Sequence, residues 1–435
     1  MIQLIRQTSI LENPPIMPTI SPMNLIAIII LLTIVLDLSL HLISDILNLK
    51  TLRSDVPGPF RGIFDPDRYK ESQAYLKVNT RFGWVSTAFN TLVMLVFWFG
   101  GGFGMLDDWV HALNRGPVVD GLVYIGTLAL AYGILAQPFS LYATFVIEER
   151  FGFNKTTLKT YAADLAKGLV LAILLGGPLL AGILAFFQYA GRAAWLYCWG
   201  AVTLYTLFIQ FIAPTWILPL FNKFSPLEEG ELRDRIFAYA RSIRFPLQNV
   251  FVMDGSKRSG KSNAFFTGFG KNKRIVLFDT LVEQHTVDEL LAVLAHEMGH
   301  YKKKHILQGM LLSVIQTGIM FFMLSFFISY KGLFTAFFLE RTPVYAGLVF
   351  FGMLYSPIDF FLGILSQMLS RKNEYQADRF SVKTTRDPSA MVNALKKLAV
   401  HNLSNLLPHP FYVFLNYSHP PVLKRVEAIE RIRID

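Results

Sequence analysis

Seven long apolar stretches, at residues 24–47, 85–105, 118–141, 168–189, 193–220, 306–330 and 344–369, limit what this chain can fold into. Each approaches the roughly 20 residues that a helix needs to cross the hydrocarbon core of a bilayer. Backbone N–H and C=O groups find no water there, and a helix satisfies them within its own segment. Composition agrees: of 435 residues 53% are hydrophobic and only 17% charged, too apolar for an ordinary soluble enzyme. Pro214 and Pro219 interrupt the fifth stretch and Pro357 the seventh, so kinks are expected there. The fold class read from this pattern is a mainly α membrane protein with about seven transmembrane helices.

The basic residues alternate between the connections. Lys50, Arg53, Arg61, Arg68, Lys70, Lys77 and Arg81 fill the first loop, and Arg150, Lys155, Lys159 and Lys167 the third. The fifth loop and the C-terminal tail mix both signs but are basic on balance. The second loop offers Arg115 beside Asp107 and Asp108, the fourth Arg192, and the sixth Lys331 and Arg341. The positive-inside rule then places the N-terminus outside or in the lumen and the C-terminus in the cytoplasm. The membrane would be the inner membrane of a bacterium or the endoplasmic reticulum of a eukaryote. The net charge of +10 is carried by these loops and calls for no nucleic acid. A single cysteine, Cys198, excludes an internal disulfide and a cysteine-based zinc site, and reads as an inert buried thiol in the fifth span. The opening residues, MIQLIRQTSILENPP, lack the continuous apolar core of a cleavable signal peptide.

The expected organisation is an N-terminal extension (1–23), five spans with their loops (24–221), a soluble region (222–305), two spans (306–369) and a C-terminal part (370–435). In the soluble region SPLEEGELRDRIFAYARSI reads as an amphipathic helix, and NVFVMD and RIVLFDTL as strands. Thr286-Val287-Asp288-Glu289 is a capping box that starts a helix. In the tail, Asp387-Pro388 supplies an N-cap and a first-turn proline for another.

The helix that begins with the capping box ends in His296-Glu297-Met298-Gly299-His300, an H-E-x-x-H pattern. Two histidines four apart share one helical face, so both imidazoles can reach one ion. The glutamate between them points alongside, where it can take a proton from a bound water. A tetrahedral catalytic zinc needs one more protein ligand and keeps its fourth position for water. His41, His111, His285, His305, His401, His409 and His419 are available, but Glu374 in SRKNEYQADRFS stands out. It lies just past the last span on the predicted cytoplasmic side, with Asp378 four residues on. That arrangement gives a carboxylate ligand plus an acid that can orient one zinc histidine through its free N–H. The plainer reading is a solvated helical face with Arg371, Lys372 and Arg379.

Gly255-Ser256-Lys257-Arg258-Ser259-Gly260-Lys261-Ser262 matches the phosphate-binding pattern G-x-x-x-x-G-K-S. That pattern requires a helix to start at its end, so that N-terminal amides face phosphate. Here NAFFTGFGKNKR follows, with glycines and aromatics that favour an extended segment, so a basic hairpin loop is expected and no nucleotide.

HEMGH, NEYQAD, SNAFFTGFGKNKRIVLFDTL and YSHPPVLKR together resemble the type I CAAX prenyl proteases, integral-membrane zinc metalloproteases of the gluzincin class. LPLFNKFSPLEEGELRDRI and EERFGFNK are also similar to segments of that family, and the likeness runs from about Leu49 onward. It implies seven transmembrane helices enclosing a large water-filled chamber, with a cytoplasmic zinc-metalloprotease domain carrying a small β-sheet. It makes His296, His300 and Glu374 the ligands of one Zn2+, Glu297 the general base, and Asp378 a support for a ligand. The strand of Ser262, Asn263, Ala264 and Phe265 would pair with substrate main chain to main chain. His419 becomes a candidate to stabilise the oxyanion, or else a turn residue before two prolines. Arg425 would support it or a site carboxylate, or else be an ordinary surface arginine. Asp37 and His41 would line the chamber or pair within the bundle.

The partners implied are the lipid bilayer and a peptide or protein substrate, and the reaction is removal of the last three residues of prenylated CAAX proteins. Two other readings stand beside it: a membrane-protein quality-control protease without a prenyl requirement, and a catalytically silent scaffold or transporter.

Overall fold

A computed structural model describes residues 24–267 and 273–434; the expected N-terminal extension, 1–23, lies outside them. In chain order the helices are α1 (Leu25–Lys50), α2 (Pro66–Phe99), α3 (Gly102–Ala112), α4 (Pro117–Tyr142), α5 (Leu158–Leu171), α6 (Gly177–Tyr189), α7 (Ala194–Ile212) and α8 (Glu231–Ser242). They continue with α9 (Asp279–Gln284), α10 (Val287–Lys302), α11 (His305–Phe327), α12 (Lys331–Thr335), α13 (Val344–Thr385), α14 (Pro388–His401), α15 (Pro410–Asn416) and α16 (Val422–Glu430). The strands are β1 (Phe224–Pro226), β2 (Leu247–Met253), β3 (Ala264–Thr267) and β4 (Lys273–Phe278).

Among the described residues seven helical stretches are long and apolar enough to cross a membrane: Leu25–Lys50, Pro66–Phe99, Pro117–Glu148, Leu158–Tyr189, Gly191–Leu220, His305–Phe327 and Val344–Thr385. Their flanks leave large aliphatic side chains bare, Leu32 at 63%, Leu92 at 61% and Leu204 at 70% exposure. Lipid accounts for that where water would not.

Three boundaries differ from the sequence reading. The second span, expected over 85–105, is a helix that starts at Pro66 behind the N-cap Asp65 and stops at Phe99. Gly100 and Gly101 end it, Gly101 at φ +74°, and the chain restarts as α3. The charged segment from Arg68 to Arg81 is therefore helix rather than loop. The fourth stretch, expected from 168, is helical from Leu158. The seventh does not stop at 369: α13 runs unbroken for 42 residues, through Pro357, to Thr385. The fifth loses its regular turns at Ala213–Ile217 and Leu218–Leu220, where Pro214 and Pro219 remove backbone donors.

The soluble elements follow from local signals. Thr286 and Glu289 close the capping box of α10, and buried Glu289 also pairs with Lys397 of α14 at 2.7 Å. Asp387 caps α14 through the Ala390 N–H, with Pro388 at its first position. The sheet has the order β1-β2-β4-β3. β1 lies antiparallel to β2, β2 parallel to β4, and β3 antiparallel to β4, which leaves β3 as an edge strand. The predicted strand over RIVLFDTL ends at Phe278, because Asp279 starts α9.

The phosphate-loop look-alike forms one short turn, Gly255–Lys257, and then leads into β3 rather than a helix. Two of its three basic residues are committed elsewhere. Arg258 forks onto Asp164 at 2.7 and 2.9 Å, and Lys261 reaches Tyr75 at 2.8 Å and Glu148 at 3.0 Å.

Thr286→Ala removes the side-chain half of the α10 cap. The expected loss is about 1 kcal/mol of stability, read as a lower midpoint of thermal unfolding in detergent.

Candidate metal centre

The rotational setting of α10 follows from its apolar residues. Leu290, Leu294 and Met298, spaced by four, are buried with Ile236, Val250, Ile275 and Leu277 in the core under the sheet. His296 lies two residues from both Leu294 and Met298, so it points away from that core, and His300 follows one turn later. That opposite face meets α13.

The two helices cross where both carry small residues. A Cβ on Gly299 would stand 3.1 Å from Phe380 Cδ1 and 3.3 Å from Ala377 Cα. Beside it, Ser381 Oγ donates to the Ala292 carbonyl at 2.7 Å. This close approach carries Glu374 to the histidines. His296 Nε2 lies 3.1 Å from His300 Nε2 and 3.4 Å from Glu374 Oε2, and His300 Nε2 lies 3.2 Å from Glu374 Oε1.

His296 Nδ1 lies 2.9 Å from Asp378 Oδ1. An ionised carboxylate only accepts, so Nδ1 carries the hydrogen and Nε2 is the nitrogen left to face a metal. Glu374 Oε2 is buried without a hydrogen-bond partner. Two imidazole nitrogens and a buried carboxylate thus converge on one point, the donor set of a metal site. Donors about 2.0–2.1 Å from a tetrahedral ion stand about 3.3 Å apart. The three separations, 3.1 to 3.4 Å, bracket that value. His296, His300 and Glu374 therefore fit a metal ion. They form the one cluster of that kind among the described residues.

Arg425 sits beneath this cluster on α16. Its Nε and Nη2 donate to Asp378 Oδ2 and Oδ1 at 2.9 and 2.6 Å, while Nη1 approaches Glu374 Oε2 at 3.3 Å. It is buried, not the surface arginine that the plainer reading allowed. His419 also reaches the site, with Nε2 3.4 Å from Glu374 Oε1 and Nδ1 2.9 Å from Ser418 Oγ. A hydroxyl donating to Nδ1 leaves an Nε2–H to present to a ligand.

Glu297 lines a cavity of about 740 Å³ together with Asn263, Ala264 and Phe265, and with Ile306 and Leu312 of α11. Burial pushes its carboxyl above the usual carboxylate range, while His296 and His300 pull it back down. Along β3, the Asn263 carbonyl accepts from the Phe278 N–H at 3.0 Å, in register with the pair Ala264↔Leu277. Antiparallel alternation then turns the main-chain groups of Ala264 and Phe266 to the open edge. Asn263 Oδ1 meets the Ala264 N–H there at 2.9 Å.

Three neighbours escaped the sequence reading. Asn402 grips the Ser262 main chain from both sides, at 3.1 and 3.2 Å, and ends the open edge on that side. His305, weighed only as a spare histidine, packs against His300, and Gln376 against His305. Nothing in the local sequence marks Asn402. Of the other histidines, buried His285 faces His401, burial holding both below the usual imidazole range, and His409 caps α15. Asp37 and His41 lie 3.5 Å apart on α1, both partly exposed.

Gly299→Leu forces α10 and α13 apart. The purified variant is expected to retain far less metal per chain than the parent by elemental analysis, with its helical circular dichroism unchanged.

Two family profiles match the chain: CAAX prenyl protease N-terminal, five membrane helices, over residues 45–223, and peptidase family M48 over 226–433. A CAAX prenyl protease 1 homolog of Oryza sativa subsp. japonica is 36% identical over 385 residues, 86% of this chain and 90% of that protein. The CAAX prenyl protease 1 of Saccharomyces cerevisiae is 33% identical over 409 residues, 88% and 90% of the two chains. The crystal structure of S. mikatae Ste24p superposes with a TM-score of 0.87 at 32% identity, covering 95% of this chain and all of that one. Five spans ahead of a His-His-Glu cluster, and these likenesses over most of its length, place the chain in peptidase family M48 as a multi-pass membrane metallopeptidase.

Proposed function

We propose that the chain is a zinc-dependent endopeptidase that removes the last three residues of prenylated CAAX proteins. His296, His300 and Glu374 hold the zinc, Glu297 is the general base, and His419 steadies the oxyanion. The observation that carries this reading is the shared cavity. One space of about 740 Å³ is lined by Glu297, by the edge strand at Asn263–Phe265 and by apolar residues of the span α11. A peptide there meets a base, a main-chain edge and an apolar wall together. The relatives named CAAX prenyl protease 1 match at 33–36% identity over most of the chain, which supports this substrate class.

Zinc bound by these residues supplies Lewis acidity and lowers the pKa of a bound water toward about 7. The chain's own residues do the rest. Substrate adds to the open edge of β3, where the Ala264 and Phe266 main chain fixes the scissile bond beside Glu297. Asn263 Oδ1 must leave the Ala264 N–H for that to happen. Glu297 takes the proton of the attacking water and returns it to the leaving amine. Its partial burial suits a carboxyl that must hold a proton between two steps. His419 donates Nε2–H to the carbonyl oxygen as charge develops. Asp378 orients His296, and Arg425 holds Asp378 and balances Glu374. The basic connections on the side of α10 support a site at the cytoplasmic face, with the N-terminus on the other side.

Glu297→Gln is expected to keep its zinc and lose turnover by at least about 10²-fold, whereas His296→Ala loses the metal as well. Elemental analysis beside a peptidase assay separates the two. For the substrate, a farnesylated C-terminal peptide should be cut much faster than its unprenylated twin. Equal rates would leave the zinc endopeptidase and remove the prenyl requirement.

A further inference from the structure

His300 lacks what His296 has. The Nδ1 of His296 is held by a carboxylate, but among the described residues no acid stands behind His300. Its Nδ1 instead lies 3.1 Å from Nδ1 of His305, whose Nε2 lies 3.2 Å from Gln376 Oε1. The two rings meet edge to face at 5.1 Å. The backbone sets this up. α10 ends at Lys302, Lys304 takes the left-handed conformation at φ +61°, and α11 starts at once with buried His305. The sharp turn folds the first residue of the sixth span back against the second histidine of the motif. Gln376 arrives from α13, two residues past Glu374.

The ring nitrogens can donate or accept, and the Gln376 amide can present its oxygen or, turned over, its NH2, so the hydrogens run along the chain in one of two senses; with Oε1 facing His305 the second holds. In one, an N–H ends on His300 Nε2 and points at His296 Nε2, which blocks that nitrogen as a ligand. In the other, Gln376 Oε1 accepts Nε2–H of His305, and His305 Nδ1 accepts Nδ1–H of His300. His300 Nε2 is then bare toward Glu374 and His296. We propose that His305 and Gln376 form a neutral relay that locks His300 in its metal-binding tautomer. It does for the second histidine what Asp378 does for the first. The two histidines are thus supported differently, one by an anion that Arg425 balances and one by a chain without net charge. A second acid behind His300 would add a further buried carboxylate beside Glu374 and Asp378, at a desolvation cost that a neutral chain avoids. His305 and Gln376 are positioning residues, and the proposal rests on the reading of His300 as a zinc ligand.

The test uses the full chain in detergent and zinc itself, titrated against a chromophoric chelator. His305→Leu and Gln376→Leu, which cannot accept or pass the hydrogen, should each weaken zinc binding by roughly 10–100-fold. His305→Asn puts an amide oxygen near the lost Nδ1, and Gln376→Glu keeps an acceptor for His305. Both should return to within about threefold of the parent. Leucine variants that bind zinc like the parent overturn the relay. So do asparagine and glutamate variants as weak as the leucine ones in chains of unchanged thermal stability, since packing rather than hydrogen-bond sense would then be at work. If His305→Leu does not fold, the Gln376 pair decides alone. A His300→Ala chain that binds zinc as tightly as the parent overturns the ligand reading itself, and the relay with it.

Discussion

The close crossing of α10 and α13 is the constraint on which the rest depends. Gly299 and Ala377 let the helix axes approach until an added Cβ would be crowded, and Ser381 ties the crossing with a hydrogen bond to Ala292. Glycine in a helix costs about 1 kcal/mol relative to alanine, and this approach is what it makes possible. Three donors from two helices then meet within ligand distance of one point. Because α13 is also the last span, its 42 residues make a rod of roughly 63 Å, about twice the hydrocarbon thickness. Span and third donor thus belong to one continuous helix.

Electrostatics imposes the second layer. Glu374 and Asp378 lie one turn apart on one helix face, and both are buried. Two carboxylates without counter-charge would not stay ionised there. Arg425 meets both, bidentate on Asp378 and by a single nitrogen on Glu374. Its own burial is tolerable only because its donors are taken up in this way. The segment after the last span is thus a structural necessity of the centre, since α16 supplies a cation that the two acids share.

How much of this was legible depends on whether the signal was local. Apolar runs announced seven spans, the capping box announced α10, and Asp387-Pro388 announced α14, because each is written in consecutive residues. H-E-x-x-H and N-E-x-x-x-D singled out the cluster residues for the same reason. Helix ends at the membrane were read less well: hydropathy marks where lipid stops, not where the helix stops, so α2 and α13 overran their expected limits. Contacts across the sequence left no local trace. Nothing near Asn402 shows that it pairs with Ser262, 140 residues earlier, and nothing near His305 shows which ring atom faces His300.

The sheet shows why such long-range contacts matter. β3 presents its edge to the cavity, and that edge is useful only if it is held still against the spans. Three polar ties hold it: Arg258 on Asp164 of α5, Lys261 between Tyr75 of α2 and Glu148 at the end of the α4 span, and Asn402 on Ser262. Lys261 also lies over the Phe153 ring at 4.6 Å, which adds a cation–π attraction. Charged and hydrogen-bonded ties resist sliding more than apolar contact does, because each is directional and costs desolvation energy when broken. The residues that resemble a phosphate loop thus do a mechanical job. They fasten the β3 edge to three membrane helices, so that edge keeps one geometry with Glu297 and the His-His-Glu cluster.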